Sequence, residues 1–256
     1  MPTERIQKLL ANAGLASRRA IEAMVLEGRV RHNGTVVREL PVMVDPETDT
    51  VEVDGESVKL GGTKRRRVYV LMNKPAGYVC TNRGQQTALG PQRLAIDLLP
   101  PGFRKRVYPV GRLDAESTGL LLLTDDGPIT QKLTHPGFGV PKVYRVVCAG
   151  QVDNAVLREL EQGVRLADRD GKTYVAKVSS AKMHRRGRDR SIVDLTLKGG
   201  RNRQIRRALA KFDHKVRKLQ RIRFGPLTLD KLKPGESRLL TPAEVKALRR
   251  SVGVEK

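Results

Sequence analysis

The spacing of apolar residues changes character along the chain, from a helical period near the start to alternation and short solid runs beyond about residue 68. In "RIQKLLANAG" Ile6, Leu9, Leu10 and Ala13 recur at i, i+3, i+4 and i+7, one stripe of a helix that Gly14 can end. Ser17 is placed to cap a second helix, "RRAIEAMVLE", with Ile21, Met24 and Val25 inward, Arg18 and Arg19 outward, and Gly28 at its end. "RVRHNGTVV" then sets Asn33-Gly34 between two β-rich runs, a hairpin signal because both turn residues need positive φ. Further on, strand patterns recur at "VYVLM" (68–72), "GLLLLT" (119–124), "KVYRVVCAG" (142–150), "TYVAKVSSA" (173–181), "SIVDLTL" (191–197) and "KLQRIRFG" (218–225). Three helices interrupt them: "DNAVLRELEQG" with Asp153 as cap, "RNRQIRRALAKF", and "TPAEVKALRR" with Thr241 as cap and Pro242 in the first turn. Asp125-Asp126-Gly127 predicts a tight turn after the Leu run.

Many strands with few helices predict an α+β protein whose main domain is a mixed, mainly antiparallel sheet with helices packed on it. "KLGGTKRRR", residues 59–67, joins paired glycines to a run of cations and predicts a flexible basic linker. The expected organisation is a small α+β domain at 1–58, the linker at 59–67, and the larger domain at 68–256.

Charge sharpens this picture. Fifty Lys and Arg face 27 Asp and Glu, a formal net charge of +23, which points to a polyanionic partner, nucleic acid ahead of membrane. The longest aliphatic block, Leu120 to Leu123, is far below the roughly 20 apolar residues of a membrane helix, so no membrane association is expected. The start lacks the pattern of a signal peptide, and Cys80 and Cys148 stand far apart, so a reducing compartment is expected, cytoplasmic or its organellar equivalent.

The familiar catalytic motifs are missing. "DGKT" (170–173) resembles the end of a phosphate loop without its leading glycine, the four histidines do not fall at metal-ligand spacing, and neither G-x-S-x-G nor G-x-G-x-x-G occurs. No metal is expected. In "PVGRLDAESTGLLLLTDDG" (109–127) Asp114 stands between a Gly-Arg-Leu lead-in and the Leu run. Such an Asp can simply cap a turn, or it can act chemically; Glu116 reads as a solvated loop side chain. In "GGRNRQIRRALAKF" Ile205, Ala208, Leu209 and Phe212 form the inward stripe; Arg203 and Arg207 project outward and Arg206 lies at the margin. A marginal arginine can reach a half-buried carboxylate, and outward ones can reach phosphates. Alternation in "KVYRV" puts Lys142, Tyr144 and Val146 on one face, so Tyr144 is either core or a platform for a nucleobase. "KMHRRGRDR" (182–190) predicts a strongly basic hairpin tip.

"MNKPAGYVCT" (72–81), "GRLDAESTGLLLLTDDG", "KVYRV" and "GRNRQIRRAL" occur in the order of the bacterial ribosomal RNA pseudouridine synthases, which the chain resembles over about residues 68–250. The first module resembles the S4-type RNA-binding domain, with Arg18, Arg19, Arg29 and Arg31 as its candidate RNA contacts. Within the family the chain looks closer to the large-subunit branch than to the small-subunit one. The resemblance implies that Asp114 is the nucleophile, Arg206 its cationic partner, and Tyr144 the residue that stacks on a flipped uracil. It further implies that Arg112 fills the vacated space and Ile205 packs against the base, with Lys74 supporting the loop or binding phosphate. It implies a redox-neutral isomerisation without cofactor, and a partner that is ribosomal RNA or a pre-ribosomal particle; a monomer is the default expectation. The alternatives are a small-subunit enzyme, a non-catalytic RNA-binding or ribosome-assembly protein and, more remotely, a DNA-binding protein.

Overall fold

The helical stripe and capping signals at the start act as their spacing requires. The computed structural model describes residues 3–60, 66–82, 86–87, 90–168 and 170–254, in two compact units, Met1–Arg67 and Val68–Lys256. Most of the linker expected at 59–67 lies outside the described residues. In the first unit α1 (Ile6–Ala13) buries Ile6, Leu9 and Leu10 and ends on Gly14 at φ 92°. Helix α2 (Arg18–Leu26) starts where the Ser17 hydroxyl accepts the Ala20 amide at 3.1 Å, and it buries Ile21 and Val25. Strands β1 (Val30–His32) and β2 (Thr35–Val37) flank Asn33 (φ 49°) and Gly34 (φ 78°); with β3 (Val51–Val53) and β4 (Glu56–Ser57) they form a sheet ordered β2-β1-β3-β4.

The second unit is built on one mixed sheet. Its elements in chain order are β5 (Tyr69–Lys74), β6 (Thr118–Thr124), α3 (Gly127–Thr134), β7 (Lys142–Ala149), α4 (Asn154–Gln162), β8 (Val164–Ala167) and β9 (Thr173–Ala176). There follow β10 (Ser180–Arg185), β11 (Arg190–Leu197), α5 (Gln204–Ala210), β12 (Val216–Phe224), β13 (Ser237–Leu239) and α6 (Pro242–Arg250). The sheet runs β10-β11-β7-β12-β6-β5-β13, antiparallel along this path except for β12 beside β6.

Two sequence expectations change. Asp126 is not a turn residue but the cap of α3: its carboxylate accepts the Ile129 amide at 3.2 Å and the Tyr69 hydroxyl at 2.6 Å. Asp and Gly suit a turn as well as a helix start, and Pro128 in the first helical turn goes with the second. "TYVAKVSSA" is two strands rather than one, because β9 pairs back on β8 whereas β10 joins the main sheet.

The solid Leu run reflects burial on both faces of the sheet. Leu120 and Leu122 join Tyr69, Leu71, Ile129 and Leu248 on the side of α3 and α6, while Leu121 and Leu123 join Val70, Met72, Ala95 and Val107 on the other. A separate core gathers Val146, Val193, Leu195 and Leu219 from the sheet under α4, α5 and the β8–β9 hairpin. Among the described residues no helix is long and apolar enough to cross a membrane.

The two halves of the sheet meet where β6 pairs with β12, and the backbones approach closely there. Gly119, at φ 102° in β6, lies so near β12 that a Cβ would stand 2.3 Å from the Arg221 carbonyl oxygen. Gly119→Ala is therefore expected to lower unfolding stability by roughly 2–5 kcal/mol through a disfavoured φ plus overpacking, read as a drop in the urea midpoint. An unchanged midpoint would mean that the two strands separate at little cost.

Candidate active site

Asp114 lies in the turn that feeds β6, and the chain around it is tied down from several directions. The Ser117 amide donates to the Asp114 carbonyl at 3.0 Å, the Gly77 amide to the Ala115 carbonyl at 2.8 Å, and the Leu113 amide to the Cys80 sulfur at 3.4 Å. Beneath the turn Lys74, wholly buried at the end of β5, donates from Nζ to the carbonyls of Pro75 (2.9 Å), Ala115 (3.2 Å) and Ser117 (2.7 Å). Burial pushes the Lys74 ammonium below its ordinary range, while the nearby Cys80 and Asp114 act in the opposite sense. Of the two roles anticipated for Lys74, loop support fits; phosphate contact does not, since the ammonium has neither exposure nor a spare donor direction.

A cleft of about 290 Å³ opens beside this turn. It is lined by Arg112 and Asp114 of the turn, Tyr144 of β7, Leu219 of β12, the segment leading into α5 with Arg203, and Ile205 in the first turn of α5. Five residues singled out from three separate stretches of sequence thus share one concavity. Tyr144 is half-buried with its neighbours Ile205 and Leu219 in the core beneath, so it is both core and cleft surface. The Asp114 side chain retains 31% of its exposure and opens into the cleft, less enclosed than a buried ion pair would be.

The arginines differ from expectation in detail. Arg203, which sits at φ 50° as the cap of α5, approaches Asp114 at 3.9 Å and forms a close ion pair with Glu116. Arg206 is directed at Glu116 as well (Nε to Oε1 3.3 Å) and donates to the Val216 carbonyl at 3.1 Å, so the carboxylate nearest it is Glu116, two residues beyond Asp114. Glu116 is consequently no free loop side chain: hydrogen bonding by Arg203, ahead of the field of Arg206, holds its carboxyl below the usual range. Arg207 does not reach outward. It donates to the Ala167 carbonyl and stands 4.0 Å from Asp168, on the β8–β9 hairpin. A helical wheel gives the direction of a side chain but cannot reveal the hairpin that receives it.

In the first unit Arg18, Arg19 and Arg31 are exposed. Arg29 is exposed too but is bound in a two-pronged pair with Asp54 (2.8 and 2.7 Å) and to Glu27 at 3.2 Å, so its charge is largely answered within the unit. The basic tip of the β10–β11 hairpin carries exposed Arg185, Arg186, Arg188 and Arg190.

Sequence reasoning does not foresee three placements. Glu116 reads as a solvated loop side chain yet pairs with Arg203; Arg201, one cation in a run, lines the cleft; and Arg221, outside the cleft lining and 1% exposed with its Nε donating to the Leu120 carbonyl at 2.7 Å, stands in a strand where alternation alone does not foretell a buried guanidinium.

Comparison with known proteins identifies the family and the fold. The model of the RNA pseudouridylate synthase family matches residues 68–211, and that of the S4 domain matches residues 4–49. An uncharacterized RNA pseudouridine synthase of Aquifex aeolicus is 40% identical over 252 residues, 98% of this chain and 96% of its own. The ribosomal large subunit pseudouridine synthase B of Bacillus subtilis is 40% identical over 246 residues, 96% of each chain. A crystal structure of a pseudouridylate synthase aligns with a TM-score of 0.65 at 29% identity, covering 95% of this chain and 99% of that one.

Proposed function

The chain belongs to the RNA pseudouridylate synthase family, and from that premise we propose that it isomerises one uridine of large-subunit ribosomal RNA, with Asp114 as its nucleophile. The family membership makes it an RNA-binding isomerase with an S4 domain ahead of the catalytic one. The choice of large-subunit RNA draws on the Bacillus subtilis relative and on a second ribosomal large subunit pseudouridine synthase B, from Haemophilus influenzae, 36% identical over 89% of this chain.

The observation that carries the mechanism is the convergence of Arg112, Asp114, Tyr144, Arg203 and Ile205 on one cleft. A uridine inside a helix hides its C1′, so the nucleotide must swing out into that cleft, and Arg112 occupies the gap it leaves. Tyr144 offers a flat ring for the uracil to stack on, with Ile205 against the base from below. Asp114 then acts on the ribose or the base, or removes a sugar proton. The N1–C1′ bond breaks with its electron pair going to the uracil, the base turns while held, and C5 bonds to C1′. The proton displaced from C5 balances the one gained at N1, so no group enters or leaves. The Arg203–Glu116–Arg206 cluster next to Asp114 supplies positive charge where a negative uracil would form. Exposed Arg18, Arg19 and Arg31 of the S4 domain contribute sequence-independent attraction to phosphates.

Pseudouridine mapping of ribosomal RNA from cells with and without this protein tests the reading. One position of the large-subunit RNA should lose its pseudouridine and regain it when the purified protein is added. A missing position in the small-subunit RNA would overturn the choice of subunit, and an unchanged map in both would overturn the substrate class.

A further inference from the structure

The segment leading into α5 lines the cleft beside Asp114 and is poorly suited to hold a fixed shape. Residues 199–204 read Gly-Gly-Arg-Asn-Arg-Gln, Gly199 is half-buried and residues 200–203 are exposed, and around Gly199 and Gly200 there is nothing within 4 Å of where a Cβ would stand. Such a turn has little packing of its own and large backbone freedom to lose. Yet it carries Arg203 in the left-handed region, aimed at Asp114 and Glu116. Something outside the turn must fix it.

Its anchors converge on one place, the β8–β9 hairpin. The Arg201 guanidinium lies 4.2 Å from the centre of the Tyr174 ring and forms a close ion pair with Asp168. Arg207, one helical turn beyond Arg203, reaches the same Asp168 at 4.0 Å, donates to the Ala167 carbonyl, and stands 5.9 Å from the Tyr174 ring. Gln204 closes the turn on itself by accepting the Arg201 amide at 3.1 Å. Arg203 is therefore flanked on both sides by arginines held on one carboxylate and one aromatic ring. The hairpin forms a two-stranded sheet of its own, rooted in the core through Leu166 and Ala176.

We infer that Asp168 and Tyr174 are positioning residues for the isomerisation: the β8–β9 hairpin acts as a brace that clamps Arg201 and Arg207 and so holds Arg203 opposite Asp114. The inference rests on the assignment of Asp114 and its arginine wall to catalysis. It assigns the hairpin, none of whose described residues lines the cleft, a role in the rate of the reaction. Because Asp168 is shared by two guanidiniums and the Tyr174 ring stacks mainly on one, loss of the carboxylate loosens both ends of the turn, whereas loss of the ring loosens chiefly the Arg201 end.

The test measures single-turnover conversion in ribosomal RNA taken from cells lacking the protein, together with RNA affinity, the urea midpoint, and amide hydrogen exchange over residues 199–204. Asp168→Asn and Tyr174→Leu are expected to slow conversion about tenfold through misplacement of the cleft wall while affinity stays within about twofold. Exchange in the turn should accelerate about tenfold. Asp168→Glu and Tyr174→Phe, which retain the carboxylate and the ring, should recover most of the rate. In an Arg203→Ala background Asp168→Asn should add less than about twofold, because the brace acts through Arg203. Full multiplication of the two effects, an unchanged rate in Asp168→Asn, or equal slowing by the conservative variants would each overturn the brace. If the intact protein converts no uridine, the catalytic reading fails on its own, and unaltered exchange in Asp168→Asn and Tyr174→Leu still decides against the brace.

Discussion

Asp114→Asn is expected to reduce uridine conversion by roughly 10³-fold or more while RNA affinity stays within about threefold. The substitution keeps the shape of the side chain and exchanges one anionic oxygen for an amide nitrogen, so what it removes is the charge and the nucleophilic atom. It should cost little stability. Arg203, the cation within 4 Å of Asp114, keeps its close pair with Glu116, so no guanidinium is left without a carboxylate. Affinity should persist because attraction to RNA comes mainly from cations spread over a chain of net charge +23. Single-turnover assays and filter binding on the same preparation separate the two quantities. Conversion at the wild-type rate would transfer suspicion to Glu116, the other carboxylate at this place, and Glu116→Gln would then be the variant to fail.

Lys74→Met is expected to have the second largest effect, slowing conversion about a hundredfold and lowering stability by roughly 2–3 kcal/mol. The two magnitudes come from different causes. Removing the ammonium leaves three interior carbonyls, those of Pro75, Ala115 and Ser117, without their donor, which costs stability. A methionine of similar length recovers the desolvation that the buried charge had to bear, which offsets part of that cost. Activity has no such offset. Ala115 and Ser117 flank the turn of Asp114, and once untethered they let the carboxylate drift from the position in which it meets the ribose or the base. The pH dependence carries a sign. Burial lowers the Lys74 pKa from 10.5, so between the lowered value and 10.5 the unfolded chain binds more protons than the folded one, and stability rises with pH across that window. The advantage of the wild type over Lys74→Met in urea midpoint should thus be constant below the lowered value and grow toward pH 10.5. Wild-type conversion by the methionine variant would show that the turn holds its shape without the lysine.

Much of the fold could be read from near neighbours in the chain. The i, i+3, i+4, i+7 stripe gave α1, the Ser17 cap gave the start of α2, Asn33-Gly34 gave the first hairpin, and Pro242 behind Thr241 gave α6, because each depends on backbone groups only a few residues apart. Where the reading failed, two local interpretations were equally sound. Asp126 could end a turn or begin a helix, and 173–181 could be one strand or two, until the partners of β9 and β10 were known. The site was legible as a set of residues more than as a set of contacts. Arg112, Asp114, Tyr144, Arg203 and Ile205 do share the cleft, but the partner of Arg206 and the direction of Arg207 came out differently.

The sequence alone determined the character of the two parts, the basic surface, the helical and strand periods, and the order of motifs that carries the family resemblance. Only the tertiary structure decided which charge answers which. Arg203 meets Glu116 across 87 residues of chain and Arg201 meets Asp168 across 33, distances over which no local period operates. Those meetings follow from the sheet order that brings β6, β12 and β7 side by side, and from a hairpin that stands outside the sheet, so they depend on the packing of distant segments and on electrostatic attraction that acts only once packing has brought the groups within a few ångströms.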